Sequence, residues 1–209
     1  MKTMIGIPTM GTVPLRFMTS LLAMRRVGAV EFQVTDHSLI YDARNRIAEL
    51  AITEGFDRVL WLDSDIVFEP DLMERLSGRI DSGCEMVTGL YFKRRTPVEP
   101  VIFRECCFRK EETGAPAAVT YTDFPENRMF EIAGCGFGAV MTTVQLLKDV
   151  AETFGLPFAP AFGLGEDLSF CARAKELGRS IWCDSSIPVG HIGQHIYTKK
   201  DWERRGLPE

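Results

Sequence analysis

The run Val59-Leu60-Trp61-Leu62, followed at once by Asp63-Ser64-Asp65, sets the strongest limit on how this chain folds. Four consecutive large apolar residues show no period of two, so a strand built from them is covered on both faces, as in the middle of a parallel sheet. Parallel neighbours need long crossover connections, usually helices. The flanking sequence offers them. Residues 3–7 are a β-rich run closed by Pro8, and a helical segment follows over 15–26. A second strand is expected over 30–34. Residues 43–53 carry Ile47, Leu50 and Ala51 at helical spacing and stop at Gly55. Glu69-Pro70-Asp71 opens a further helix, since Pro suits a first turn and acids suit a helix N-terminus. Residues 85–90 read as a fourth strand. This β-α-β-α-β-α-β order predicts an α/β fold with an open, mostly parallel sheet flanked by helices.

The second half is less regular. Thr96-Pro97 and Glu99-Pro100 punctuate an extended stretch, and 111–116 reads as an exposed hairpin loop. A strand is expected over 128–133 and helices over 140–154 and 167–177, the last stopping at Gly178. No repeat or clear linker interrupts the 209 residues, so one domain is expected over 1–209. A formal net charge of -5 argues against blanket binding to nucleic acid. The start has no apolar stretch of signal-peptide length, and no apolar run nears the ~20 residues that span a bilayer. The six cysteines show neither a C-x-x-C pair nor zinc-ligand spacing, and Cys135, Cys171 and Cys183 sit among apolar residues. These features lead us to expect a reduced, cytoplasmic protein without a transmembrane segment.

Asp63 and Asp65 lie two apart, so in extended backbone both carboxylates would project to one side. They follow a buried strand at the carboxyl edge of the sheet, where open α/β folds bind ligands. Two anionic oxygens there suit a hard divalent cation such as Mg2+ or Mn2+, which in turn neutralises a diphosphate. A solvated turn capping the next helix explains the same residues without a ligand. Asp63-x-Asp65-x-Val67 also fits the D-x-D-x-[TV] pattern of haloacid-dehalogenase-like phosphotransferases, in which the first Asp is the nucleophile. That pattern belongs on a first strand, however, and two β-α units precede it here.

Tyr41-Asp42-Ala43-Arg44-Asn45-Arg46, a helix, and then Val59 to Asp65 resemble the "A-R-N … D-x-D" stretch of GT-A, family-2-like glycosyltransferases. Gly165-Glu166-Asp167-Leu168-Ser169-Phe170-Cys171-x-Arg173-Ala174 resembles their "E-D" element, and Gly190-His191-Ile192-Gly193 their final strand-loop histidine. Val87 to Pro97 is similar to a segment of short glycosyltransferase-like proteins of bacteriophages. The resemblance implies a GT-A-type Rossmann-like sandwich, with a nucleotide-sugar half over about 1–95 and an acceptor half over about 96–209. It implies inverting transfer from a nucleotide sugar, a UDP-sugar above all, to a hydroxyl of a glycan, lipid-linked sugar, protein or modified DNA base. It implies that Asp63, Asp65 and His191 bind Mn2+ or Mg2+, that Asp167 is the base, and that Glu166 orients the acceptor. Asp36 stands where the family often has "D-D-G-S", as a base or ribose contact.

Each role has a plainer counterpart. Pro8 and Thr9 end the first strand at the same sheet edge and either border the nucleotide or merely turn the chain. Arg44 heads a helix near the donor, to pair with a phosphate or an acidic neighbour; Ser64 lies between the two aspartates. Acids at a helix start, such as Glu166 and Asp167, are stabilised by its dipole, which favours their ionised form. His191 and His195 have zinc-helix spacing, but Gly190 and Gly193 break the helix and the H-E-x-x-H glutamate is absent. Gly134-Cys135-Gly136-Phe137-Gly138-Ala139 matches G-x-G-x-x-A without the β-α-β setting of a dinucleotide site, so close packing or acceptor approach is expected instead. Lys93, Arg94 and Arg95 form either a solvated cluster or a phosphate or acceptor contact. The expected activity is glycosyl transfer; a phosphotransferase and a catalytically inactive nucleotide-sugar or glycan binding module are the alternatives.

Overall fold

The computed structural model describes residues 1–204 except 37, 111, 112, 194 and 195, with Ile196 and Tyr197 described by backbone alone. Around β3 (Arg58–Leu62), buried along its whole length, lie β1 (Lys2–Pro8), β2 (Ala29–Thr35), β5 (Met86–Leu90) and β11 (Ile181–Ile192). These five strands run in one direction. The sheet order is β12-β11-β5-β10-β3-β1-β2, where β12 is Ile196–Tyr197 and β10 (Ala139–Thr143) runs antiparallel to both its neighbours. β4 (Ile66–Phe68) and β8 (Met129–Ile132) pair with β11. A smaller sheet contains β6 (Ile102–Cys107), β7 (Ala117–Thr120) and β9 (Gly134–Cys135).

Period-two alternation explains the two helical layers. Met4, Val59, Trp61, Met86 and Val140 face one core, closed by α2 (Ile40–Thr53), α4 (Val144–Phe154) and α5 (Glu166–Glu176). Ile5, Ile7, Leu60, Leu62, Val87 and Met141 face the other, closed by α1 (Leu15–Ala23) and α3 (Leu72–Asp81). α6 (Lys199–Glu203) brings Trp202 against Phe92 and Phe124. Among the described residues no helix is long and apolar enough to cross a membrane.

The structure corrects one expected element. Residues 140–143 are strand, and the helix begins only at Val144. The Thr143 hydroxyl accepts from Leu146 N at 3.2 Å and caps that helix. Before it, Ala-Val-Met-Thr is slotted between β3 and β5, where both faces are covered and β-branched residues pack well. In the 111–116 segment, Glu111 and Glu112 lie outside the described residues; β6 and β7 pair antiparallel across it.

The glycines of 134–138 serve packing. A Cβ on Gly136 would sit 2.2 Å from the Tyr91 hydroxyl, and one on Gly138 2.9 Å from Tyr91 Cζ. The chain passes Tyr91 closely enough that only hydrogen fits. Gly136→Ala should cost about 1–3 kcal/mol of unfolding free energy. Gly78→Ala, on the exposed face of α3 with nothing within 4 Å, should gain about 0.5–1 kcal/mol. Urea unfolding of both variants checks the contrast.

Candidate active site

The carboxyl ends of β1, β3 and β5 and the N-terminus of α5 surround a cleft of about 310 Å³. Its walls include Pro8, Thr9, Arg44, Asp63, Ser64, Asp65, Glu166 and Asp167, so segments far apart in sequence meet at one place. Ser38, Tyr91, Arg94 and Phe137 also line it. Asp36 does not line this cleft: it lies just past β2, exposed, while Ser38 reaches the wall. His37 and His195 lie outside the described residues.

Residues 63–65 form a turn between β3 and β4 and not an extended strand, so the period-two argument is not what brings the two aspartates together. Backbone anchors do. Asp63 N donates to Gly138 O at 3.0 Å and Ile192 N donates to Asp65 O at 2.6 Å. The turn is thus pinned by the glycine connection on one side and by β11 on the other. Gly138 N in turn donates to the Tyr91 hydroxyl at 3.1 Å.

Arg44 projects from α2, just past its first turn, into the wall and is 2% exposed. Its Nη2 donates to Asp63 Oδ1 at 2.8 Å, its Nε stands 3.5 Å from Glu166 Oε1, and the guanidinium lies 5.2 Å from the centre of the Phe137 ring. It pairs with the acidic neighbours of both motifs. Its Nη1 is buried without a hydrogen-bond partner among the described residues, as is Ser38 Oγ.

Asp65 has different partners. Arg94 Nη1 donates to its Oδ2, and His191 Nε2 lies 3.5 Å from the same oxygen. Burial pushes the Asp65 carboxyl up, but His191 and Arg94 outweigh it and hold the group below its ordinary range. His191 Nδ1 is 2.9 Å from Phe92 O. A carbonyl only accepts, so Nδ1 carries a proton here, and the ring is held with Nε2 facing Asp65. A ring fixed this way, with Nε2 turned to a carboxylate, matches the orientation of metal-ligating histidines. The donor set of Asp63, Asp65 and His191 suits Mn2+ or Mg2+ in kind. Among the described residues, no three such groups are gathered into a ready-made cage.

Asp167, partly buried in the first turn of α5, departs from the helix-dipole expectation. Burial first and the Glu166 charge next push its carboxyl up to about 6, against the opposing pull of Arg44 and a hydrogen bond from Leu168 N. It remains mostly ionised at neutral pH, but far closer to its titration than an ordinary aspartate.

Sequence reasoning did not single out Tyr91 or Phe137. Tyr91 follows fully buried β5 at the same carboxyl edge that identified Asp63, so that rule could have found it. Phe137 had no such signal.

No protein-family model matches the sequence, and neither does any curated protein. Solved structures do. A197 from STIV superposes with a TM-score of 0.65 at 20% identity, covering 92% of this chain and 86% of that one. GalNAc-T7, solved with UDP, GalNAc and Mn2+, superposes with a TM-score of 0.61 at 11% identity, covering 92% of this chain and 43% of that one. At these identities the likeness shows the fold, which is GT-A-like: a mixed α/β sandwich with a mostly parallel central sheet flanked by helices.

The raised Asp167 carboxyl has a stability consequence. The folded state holds that proton more tightly than the unfolded chain does, which favours folding at acid pH. The advantage disappears as pH rises through about 6, above which the charge is held in a partly buried site. Asp167→Asn carries no such charge, so it should be more stable than wild type by about 1–3 kcal/mol at pH 7–8. The difference should close below about pH 4. Denaturant titrations across this range measure it, and a gap that does not vary with pH would reject the assignment.

Proposed function

We propose that this protein transfers a sugar from a nucleotide sugar, a UDP-sugar in the first instance, to a hydroxyl acceptor, with inversion and with a divalent cation. The observation that carries the reading is a split between two carboxyls of one cleft: Asp65 is held below its ordinary range while Asp167 is raised to about 6. Two acids pushed apart in this way suit two jobs, an anion for a cation and a base for a proton. The fold it shares with GalNAc-T7, whose structure contains UDP and Mn2+, supports the donor class.

In this reading Asp63, Asp65 and His191 hold Mn2+ or Mg2+. Such a cation, when bound, stabilises the negative charge of a departing diphosphate. Pro8, Thr9 and Ser38 border the nucleoside, with the Ser38 hydroxyl, which has no hydrogen-bond partner among the described residues, available to it; Ser64 joins them from the same wall, and Asp36 does not. Arg44 positions Asp63 and Glu166 relative to each other. Asp167 takes the acceptor hydroxyl's proton as that oxygen bonds to the anomeric carbon. The bond from that carbon to the diphosphate breaks on the opposite face, and the nucleoside diphosphate leaves. Glu166 orients the acceptor. The six cysteines are all unpaired, which suits a reducing cytoplasm.

Binding of UDP or a UDP-sugar should require Mn2+ or Mg2+, and Asp63→Asn or Asp65→Asn should each weaken it at least tenfold, on the order expected for a lost charged contact. Calorimetry with and without chelator measures this. Undiminished affinity in excess chelator would contradict it.

Asp167→Asn should cut transfer by ~10²–10⁴-fold while leaving donor binding nearly intact. For wild type, kcat/KM should fall on the acid side with an apparent pKa near 6, because the protonated carboxyl is no base. Wild type and variant equally inert towards all hydroxyl acceptors, yet both binding donor, would instead identify a binding module.

A further inference from the structure

Arginines neutralise both aspartates of the turn, and they do so in unlike ways. Arg44 is 2% exposed and bridges Asp63 to Glu166, so it cannot leave without abandoning both. The Arg94 side chain is 53% exposed and belongs to a run of exposed residues, 94–97. Its Nη1 is shared between Asp65 Oδ2 and the carbonyl of Ile192, 3.3 Å away. The oxygen that faces His191 Nε2 is therefore the oxygen this guanidinium covers. The arginine's end of this pair stands in solvent, where an ion pair is screened and exchanges partners readily.

We propose that Arg94 is an exchangeable counter-ion: it satisfies Asp65 in the free protein and moves onto the diphosphate when a divalent cation takes that carboxylate. This inference rests on the nucleotide-sugar reading of the cleft. Charge counting supports it. Asp63 and Asp65 are balanced by Arg44 and Arg94 in the free protein. A divalent cation alone crowds the guanidinium on the same carboxylate oxygen. The diphosphate of a nucleotide sugar alone adds about two negative charges beside a wall that already holds Glu166 and Asp167. Together the two ligands leave the balance unchanged, and the released guanidinium gains a phosphate, which its planar fork suits. Cation and diphosphate therefore bind cooperatively, and Arg94 is the positioning residue that couples them.

The test is Mn2+ calorimetry on wild type, Arg94→Gln and Arg94→Lys, without and with UDP. Without UDP, Arg94→Gln should bind Mn2+ about tenfold more tightly than wild type; at saturating Mn2+ it should bind UDP about tenfold more weakly. The factor by which UDP raises Mn2+ affinity should shrink accordingly, and Arg94→Lys, which keeps the charge, should lie between the two. Arg94→Gln with unchanged or weaker Mn2+ affinity would overturn the exchange. So would chelator-resistant UDP binding that Arg94→Gln abolishes, which would make the arginine a permanent substitute for the cation. A wild type and variants that bind neither Mn2+ nor UDP would remove the nucleotide-sugar reading itself; binding of both, identical in wild type and Arg94→Gln, would remove only the exchange.

Discussion

The site depends on one buried guanidinium. Taking a charged side chain out of water is costly unless it is paired, and Arg44 is paired twice, with Asp63 on the turn after β3 and with Glu166 on α5. Those partners come from the two halves of the chain, so the arginine joins them where a ligand would sit. It also makes the acidic wall tolerable. Glu166 already opposes ionisation of Asp167, and Arg44 is the nearby positive charge that pulls the other way. Without it, three carboxylates would face one another with no buried counter-charge among the wall residues that touch them.

A chain of small contacts holds the turn that Arg44 grips. Tyr91 fills the space at the end of β5, and glycines at 136 and 138 let the following connection pass against its ring. The Tyr91 hydroxyl receives Gly138 N, and Gly138 O receives Asp63 N. A carboxylate whose own backbone is fixed in this way presents its oxygens with little freedom to drift, which is what a precise ligand site requires.

How much could be read from the sequence follows from which features leave a local trace. Residues 59–62 are covered on both faces, and that leaves an uninterrupted apolar run; the central strand was legible for this reason. Asp63, Asp65, Glu166 and Asp167 were legible because charged pairs beside strand and helix ends are conspicuous. β10 was not, since Ala-Val-Met-Thr-Thr merges with the helix behind it and its partners, β3 and β5, lie far away in sequence. Asp36 was placed by analogy of position, while the wall is reached by Ser38, two residues later. The ion pair of Arg94 with Asp65 was hidden by Lys93 and Arg95, which make the three look like an ordinary solvated cluster. The raised Asp167 carboxyl was illegible too, because desolvation is a property of the assembled wall and not of the helix start.

The antiparallel strand has a consequence for how the chain is made. β3 is hydrogen-bonded on one side by β1, already synthesised, and on the other by β10, and the bond between Trp61 Nε1 and Thr142 Oγ1 joins residues 81 positions apart. While a ribosome is still adding the residues between them, one edge of the most apolar strand stays open. The first four β-strands and their helices therefore do not close as a module of their own, and the half that contains β3 cannot mature before the later half arrives. Long-range pairings of this type slow folding and leave a sticky intermediate in the meantime. For this protein, a nascent chain halted before β10 is a natural client for a chaperone.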